Sequence, residues 1–394
     1  MTNLSIKMYC LQNQKWKYSV PRPDTAFWNG ITDAGVLAEA EDFLVQMQKQ
    51  TEDMRYGSSD GIRIDNGMAY HSEFLPHWEE FADALGKYHY HLQFSDYDGE
   101  SKLTFFDIVL SAEVINLLSK ALKSTYFHEF ILQNNQLDKN GIKFALDHLK
   151  KNRICKQFAL HQNLMSMEDI NRLCQIVKDH SSIKILGLSG CKGEDVDGYE
   201  MLKQSMTVGR NKLEVIDLAE NSISTGGDTF IPDFLAKNPI LESLNLTDNE
   251  LDDNDAVKIA SALNHNTKLR SLIISGNDTT RVGWEALSKE VFDKTSLNSA
   301  ADSNHTCTID FPSHHKYDHV REINSEESSK HYYIPAHVRQ KKIYSILSQR
   351  NKNSSNVDHF DDDMPVELLT SSGISVAFIW RVIRYANSLL FTRI

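Results

Sequence analysis

The chain has 394 residues, 54 of them Asp or Glu against 42 Lys or Arg, for a net charge of −12. Lys and Arg stand against Asp and Glu at 8 to 15 over residues 1–99, 23 to 28 over 100–294 and 11 to 11 over 295–394. This balance argues against general nucleic-acid binding, for which a basic stripe supplies most of the affinity, while the ordinary apolar and charged fractions fit a soluble protein.

From the N-terminus, Met1 to Leu11 is broken by charged and polar residues and holds no apolar run of signal-peptide length. Ala34 to Asp53 reads as a helix with Val36, Ala40, Phe43, Leu44 and Met47 on one side, and Tyr56 to Gly67 as a Gly/Ser/Asp-rich connection. A second helix is expected over His77 to Leu85, with Trp78, Phe81, Ala82 and Leu85 apolar. Residues 1–99 are therefore expected to form an N-terminal helical cap packed onto the middle of the chain.

That middle repeats one phrase, apolar-x-x-apolar-x-apolar-x-x-Asn-x-apolar. Its clean copies are Leu213-x-x-Ile216-x-Leu218-x-x-Asn221-x-Ile223, Leu241-x-x-Leu244-x-Leu246-x-x-Asn249-x-Leu251 and Leu269-x-x-Leu272-x-Ile274-x-x-Asn277. With the second strand apolar as a ruler, the series is Phe105, Leu132, Leu160, Leu188, Leu218, Leu246 and Ile274, in steps of 27, 28, 28, 30, 28 and 28. The Asn position reads Ile108, Asn135, Asn163, Cys191, Asn221, Asn249 and Asn277. A fixed period of this length implies a stacked array, here seven units over residues 100–294, whose atypical first unit suits an end with no neighbour.

Each unit reads as a short strand followed by a helix. Apolar residues two apart, such as Leu244 and Leu246, share one side of a strand. Between strands the spacing becomes i, i+3, i+4, i+7, in Ile142, Ala145, Leu146 and Leu149, in Ile170, Leu173, Cys174 and Val177, and in Ala256, Ile259, Ala260 and Leu263. Lys151-Asn152 and Lys237-Asn238 look like helix ends. Strands stack about 4.8 Å apart while helices need about 10 Å, so the array should curve into a horseshoe, parallel strands on the concave face and helices on the convex face. The repeated Asn is expected to bond backbone groups left unpaired where the chain leaves the strand, a structural task and not a catalytic one.

This phrase, with a helix in every unit and a 28-residue step, resembles the ribonuclease-inhibitor-like class of leucine-rich repeats. The resemblance implies an α/β leucine-rich repeat solenoid over about half the chain. It carries no single activity, because that class includes inhibitors, innate-immune receptor sensors and Ran GTPase-activating proteins.

Residues 295–394 are expected to be a C-terminal flank of loop, linker and helix-like segments. Trp284, Leu287 and Val291 finish the last repeat helix, Lys294 to Asp302 is polar and small, and Cys307 to Phe311 reads as an irregular terminal strand and loop. His305, Cys307, His314, His315 and His319 lack the paired close spacing of a structural zinc site, so no metal is expected. Beyond Pro335, Ile343, Ile346 and Leu347 line one side of a helix whose other positions include Arg339, Lys341, Lys342 and Arg350. Asn351 to Asp363 reads as a polar, acidic linker, and Val376 to Phe391 as a helix in which Arg381 and Arg384 argue against a membrane span; it is expected to dock on protein, with a membrane-surface helix as the alternative. Of the five cysteines, Cys10, Cys155, Cys174, Cys191 and Cys307, the middle three occupy repeat-core positions and are expected to be packed thiols.

No motif for a metalloprotease, a P-loop, a dinucleotide fold or a nucleophile elbow is present, and Gly187-Leu188-Ser189-Gly190 falls in a repeat strand. The sequence therefore reads as a non-catalytic, cytoplasmic or nuclear interaction scaffold without cofactor, whose partner is a protein docked on the concave strand face. Candidate partner-binding residues are His128, Glu129, Lys156, His161, Lys184, Glu214, Asp217, Glu220, Glu242, Asn245, Asp248 and Arg270, with five acids gathered on the fifth and sixth strands. The alternative is a GTPase-activating protein of the Ran type, for which Asp361-Asp362-Asp363 is a short substitute for a long acidic tail.

Overall fold

The computed structural model describes residues 18–56, 61–65, 67, 71–92, 101–312, 317, 320 and 335–352. Cys10, His314, His315, His319 and the segment Val376 to Phe391 lie outside the described residues, as does most of the Asn351 to Asp363 linker. The chain divides into two compact units at Ser222/Ile223.

The first unit opens with α1 (Thr25–Gly30) and α2 (Ala34–Tyr56), followed by β1 (Gly61–Asp65), a 3-10 turn (Ser72–Phe74) and α3 (Leu75–Leu92). Strands and helices then alternate as β2 (Lys102–Phe106), α4 (Ala112–Ala121), β3 (Glu129–Gln133), α5 (Lys139–Lys151), β4 (Gln157–Ala159), α6 (Met167–Asp179), β5 (Ile185–Gly187), α7 (Gly198–Gly209) and β6 (Val215–Asp217). Each strand pairs in parallel with the next, and equivalent residues face one another: Leu103 opposite Phe130, then Phe158, Leu186 and Ile216. β1 lies inside the stretch whose composition reads as a loop and pairs with β2, Ile62 opposite Leu103 and Ile64 opposite Phe105. Only two apolar residues in a Gly/Ser/Asp-rich context give that strand too weak an alternation to stand out.

Helix positions follow the apolar stripes. Ile142, Ala145, Leu146 and Leu149 of α5 and Ile170, Leu173, Cys174 and Val177 of α6 are all buried. Capping starts both of these helices in register: Asp138 accepts from Gly141 N–H at 2.8 Å, and Ser166 and Asp169 form a reciprocal capping box. The N-terminal helices pack onto the first strands through rings. Trp78 and Phe81 lie 6.0 and 6.1 Å from Phe105 between centroids, while Phe43 and Phe74 are 5.0 Å apart. Val36, expected on the buried side of α2, is 44% exposed, the buried stripe beginning at Ala40.

The second unit contains α8 (Phe230–Ala236), β7 (Ser243–Asn245), α9 (Asp253–Leu263), β8 (Ser271–Ile273), α10 (Arg281–Val291), α11 (Leu297–Asp302), β9 (Thr308–Ile309) and α12 (Pro335–Lys352). β7, β8 and β9 are again parallel, with Leu244 opposite Leu272 and Leu272 opposite Ile309. Cys307 to Phe311 thus supplies a terminal strand, and Lys294 to Asp302 includes a helix that buries Leu297, Ala300 and Ala301. In α12 the apolar positions Val338, Ile343 and Ile346 are buried, and so is Lys342, although the sequence pattern sets it among the solvent-facing basic positions. In both units the strands lie side by side with their inward residues packed against helices, the α/β solenoid architecture of leucine-rich repeats.

Candidate functional site

The outer residues of the strands form a face that the helices leave uncovered. In the first unit one row across the sheet is Lys102, Glu129, Gln157, Ile185 and Val215, and the next is Thr104, Ile131, Ala159, Gly187 and Asp217. Most of these are partly exposed, as alternation requires. Ala159, at 1% exposure, and Gly187 are the buried exceptions, although their positions face outward. The cause lies beside them: a Cβ built on Gly187 would meet the His161 ring at 2.6 Å and the Ala159 Cβ at 2.8 Å, so ring and methyl together fill the space above the glycine.

His161 is held there by Ser189 N–H, which donates to its Nδ1 at 3.2 Å, so the neutral ring carries its proton on Nε2. Burial lowers the basicity of His161, and the nearby Asp217 and Glu220 carboxylates oppose that shift. His128 stands before β3, in register with Lys156, and its Nδ1 accepts from Ser101 N–H at 3.2 Å.

Cross-strand ion pairs occupy several expected partner-binding residues. Lys102 meets Glu129 at 2.5 Å and Lys184 meets Glu214 at 2.6 Å in the first unit, and Arg270 meets Glu242 at 3.5 Å in the second. Two of the five acids expected to gather are therefore neutralised by the adjacent strand. Asp217 accepts from Ala219 N–H at 3.1 Å, and Asn245 accepts from Thr247 N–H at 3.1 Å. Lys156 is half-buried, while Glu220 and Asp248 are exposed.

The face is rigidly built behind these side chains. Asn221 donates to Leu188 and Ala219 carbonyls at 2.9 and 2.8 Å and accepts from Cys191 and Lys192 N–H at 3.0 and 2.9 Å. Asn163 accepts from Asn135 N–H at 3.1 Å, and in the second unit Asn249 accepts from Ile223 N–H at 2.9 Å, so each amide ties its repeat to the one before. Cys191 keeps half of this function, its thiol donating to Leu160 O at 2.9 Å. Burial pushes that thiol up to about 12, which leaves it unreactive as a nucleophile.

The residue before each of these positions has a positive φ: Asp107, Asn134, Gln162, Gly190, Glu220, Asp248 and Gly276, at 50°, 50°, 54°, 64°, 58°, 51° and 69° in turn. Sequence reading missed this column, because only two of its seven residues are Gly. A second buried column was also missed: Asn152 donates to Phe127 O at 2.8 Å, His180 Nε2 to Asn152 O at 2.8 Å, Asn266 to Leu235 O at 2.8 Å and Asn304 to Leu263 O at 2.6 Å. The 28-residue spacing of Asn152 and His180, and of Asn238 and Asn266, was the available signal.

Among the described residues no group of three or more His, Cys, Asp or Glu is placed to hold a metal ion, and no helix is long and apolar enough to cross a membrane. The family model described as Leucine Rich repeat matches residues 237–260 and 265–288, which hold β7 with most of α9 and β8 with most of α10. No curated protein matches the chain. The chain carries leucine-rich repeats, and the in-register strands of the first unit repeat the same geometry upstream of the matched residues.

Proposed function

We propose that this leucine-rich-repeat protein is a non-catalytic interaction scaffold, of the ribonuclease-inhibitor-like type, that docks a partner protein on its strand faces. The observation that carries the reading is the uncovered face of the first unit. There Ile131, Ile185 and Val215 are partly exposed among Glu129, Gln157, Asp217 and the fixed His161 ring, a mixture of apolar and polar groups on a rigid sheet. A helix in each repeat and the 28-residue step support the subtype. A reducing compartment, cytoplasmic or nuclear, belongs to the same proposal and is supported by the buried thiols of Cys155, Cys174 and Cys191, which form no disulfide.

Comparative capture tests it. Proteins retained by the wild-type chain are compared with those retained by an Ile131→Arg, Ile185→Arg, Val215→Arg variant of unchanged melting temperature. Loss of a retained protein supports the strand face, and an identical set rejects it. Captured GTPases are assayed for single-turnover GTP hydrolysis with and without the chain, and acceleration would favour the Ran-type alternative.

A further inference from the structure

The connections of the first unit segregate charge by edge, which a block count along the sequence conceals. The segments leading from helix to strand into β3, β4, β5 and β6 contain Lys123, Arg153, Lys156, Lys184, Arg210 and Lys212 against one acid, Glu214. The segments leaving β2, β3, β5 and β6 at the opposite end contain Asp107, Asp138, Glu194, Asp195, Asp197 and Glu220 against one cation, Lys192. The final helical turns add Lys150, Lys151 and Lys178 to the basic edge, against one acid, Asp179.

Part of this pattern serves the fold. Cations in a last helical turn complement the helix dipole, and Lys212 reaches back to the carbonyls of Val177, Lys178 and His180. Lys184 is paired with Glu214. The remaining cations have no ion-pair partner: Lys123, Arg210 and the last-turn Lys150, Lys151 and Lys178 are exposed, and among the described residues no carboxylate lies within ion-pair distance of them.

We propose that this basic edge, with Ile154 exposed among its cations, docks an acidic segment of a protein partner that carries an apolar residue between its carboxylates. Ile154 is 42% exposed and lies next to Arg153 and two residues from Lys156, so it offers an apolar contact inside the charged strip. Successive connections are stacked at strand spacing, about 4.8 Å, close enough for one extended segment to meet several of them. A single-stranded nucleic acid would also need aromatic platforms for its bases. The aromatic residues of these connections do not supply them, since Phe127 is fully buried and the Tyr126 ring stacks on His148 at 6.5 Å. The edge shares Lys156 and Lys184 with the candidate residues of the strand face, but none of the cations substituted in its test is among those candidates, so that test is independent of the proposal made for that face.

The test is binding of labelled poly-L-glutamate to the full chain, followed by anisotropy over a salt series. The edge variant is Lys123→Glu, Lys151→Glu, Arg153→Glu and Arg210→Glu. A control of equal charge change carries Lys139→Glu, Lys143→Glu, Lys203→Glu and Lys289→Glu. Wild type and control should bind with affinity that falls as salt rises, and the edge variant should bind at least tenfold more weakly, with Ile154→Ser weakening an acidic peptide containing Leu more than poly-L-glutamate. Circular dichroism checks folding, and a Lys/Arg→Gln version at the same four positions replaces the edge variant if that variant unfolds. The proposal is overturned if wild type does not bind poly-L-glutamate, if edge and control variants bind equally, or if single-stranded RNA or phosphatidylserine vesicles bind more tightly and are lost in the edge variant.

Discussion

The buried ammonium of Lys342 on α12 donates to the backbone carbonyl of Asn304 at 2.7 Å, across 38 positions of sequence. The same nitrogen donates to Val291 O at 2.5 Å and to His305 Nδ1 at 3.2 Å, so one side chain fastens α12 to the end of α10 and to the segment before β9. His305 can accept because its Nε2 already donates to Ala301 O at 3.0 Å and because burial lowers its pKa to about 4.

Docking of α12 should strengthen as pH rises from about 7. Burial lowers the Lys342 pKa from 10.5 to about 7, opposed by Glu290 and Cys307, while Arg339 and His305 share its surroundings. Between those two values the released helix binds a proton that the docked one does not, so docking gains stability with pH, and below about 7 the two states are equally charged. Hydrogen exchange in α12, corrected for its intrinsic rate, should therefore slow from pH 7 to pH 9, and Lys342→Met should remove that dependence. Equal protection factors at both pH values in the wild type would contradict it.

The left-handed column predicts opposite signs for two simple exchanges. Gln162 holds φ 54° at a cost that glycine does not bear, so Gln162→Gly should stabilise by up to about 1 kcal/mol. Gly276 has φ 69°, and an added Cβ would meet Asp248 Oδ1 at 1.8 Å, so Gly276→Ala should cost about 2 kcal/mol or more. Urea midpoints of the two variants would measure both, and shifts in the same direction would count against the column.

Asn221→Ala should destabilise the first unit by about 3 kcal/mol, since it strands the Leu188 carbonyl and the Cys191 and Lys192 N–H groups in a buried turn. Leu188→Ala tests the same turn through packing alone. Equilibrium unfolding that shows Asn221→Ala to be neutral would mean that water replaces the amide.

Leu246→Ala should cost about 2–5 kcal/mol, as a fully buried large-to-small change. Its backbone is also fixed, with N–H to Ile273 O at 2.7 Å and its carbonyl accepting from Asn249 and Asn277 at 2.9 and 2.8 Å. A calorimetric loss below about 1 kcal/mol would place the side chain outside the core.

What the sequence determined by itself was whatever repeats locally. The apolar pairs two apart placed β2 to β8, the 3.6-residue stripes placed α5, α6 and α9 between them, and the buried Asn221 and Asn249 had the structural task expected of them, because each signal lies within a dozen residues. The β1 strand, with two inward residues and no preceding copy of the phrase, was too short to announce itself. Only the tertiary structure decided which polar groups are spent on one another. Lys184 and Glu214 are 30 positions apart and Lys342 and Asn304 are 38, and a charge read as exposed becomes an ion-pair member or a buried anchor only when stacking brings those distant positions together. The positive φ column was decided the same way. No local preference asks Gln162 or Glu220 for a left-handed turn, but the parallel register forces every repeat to leave its strand along the path of its neighbour.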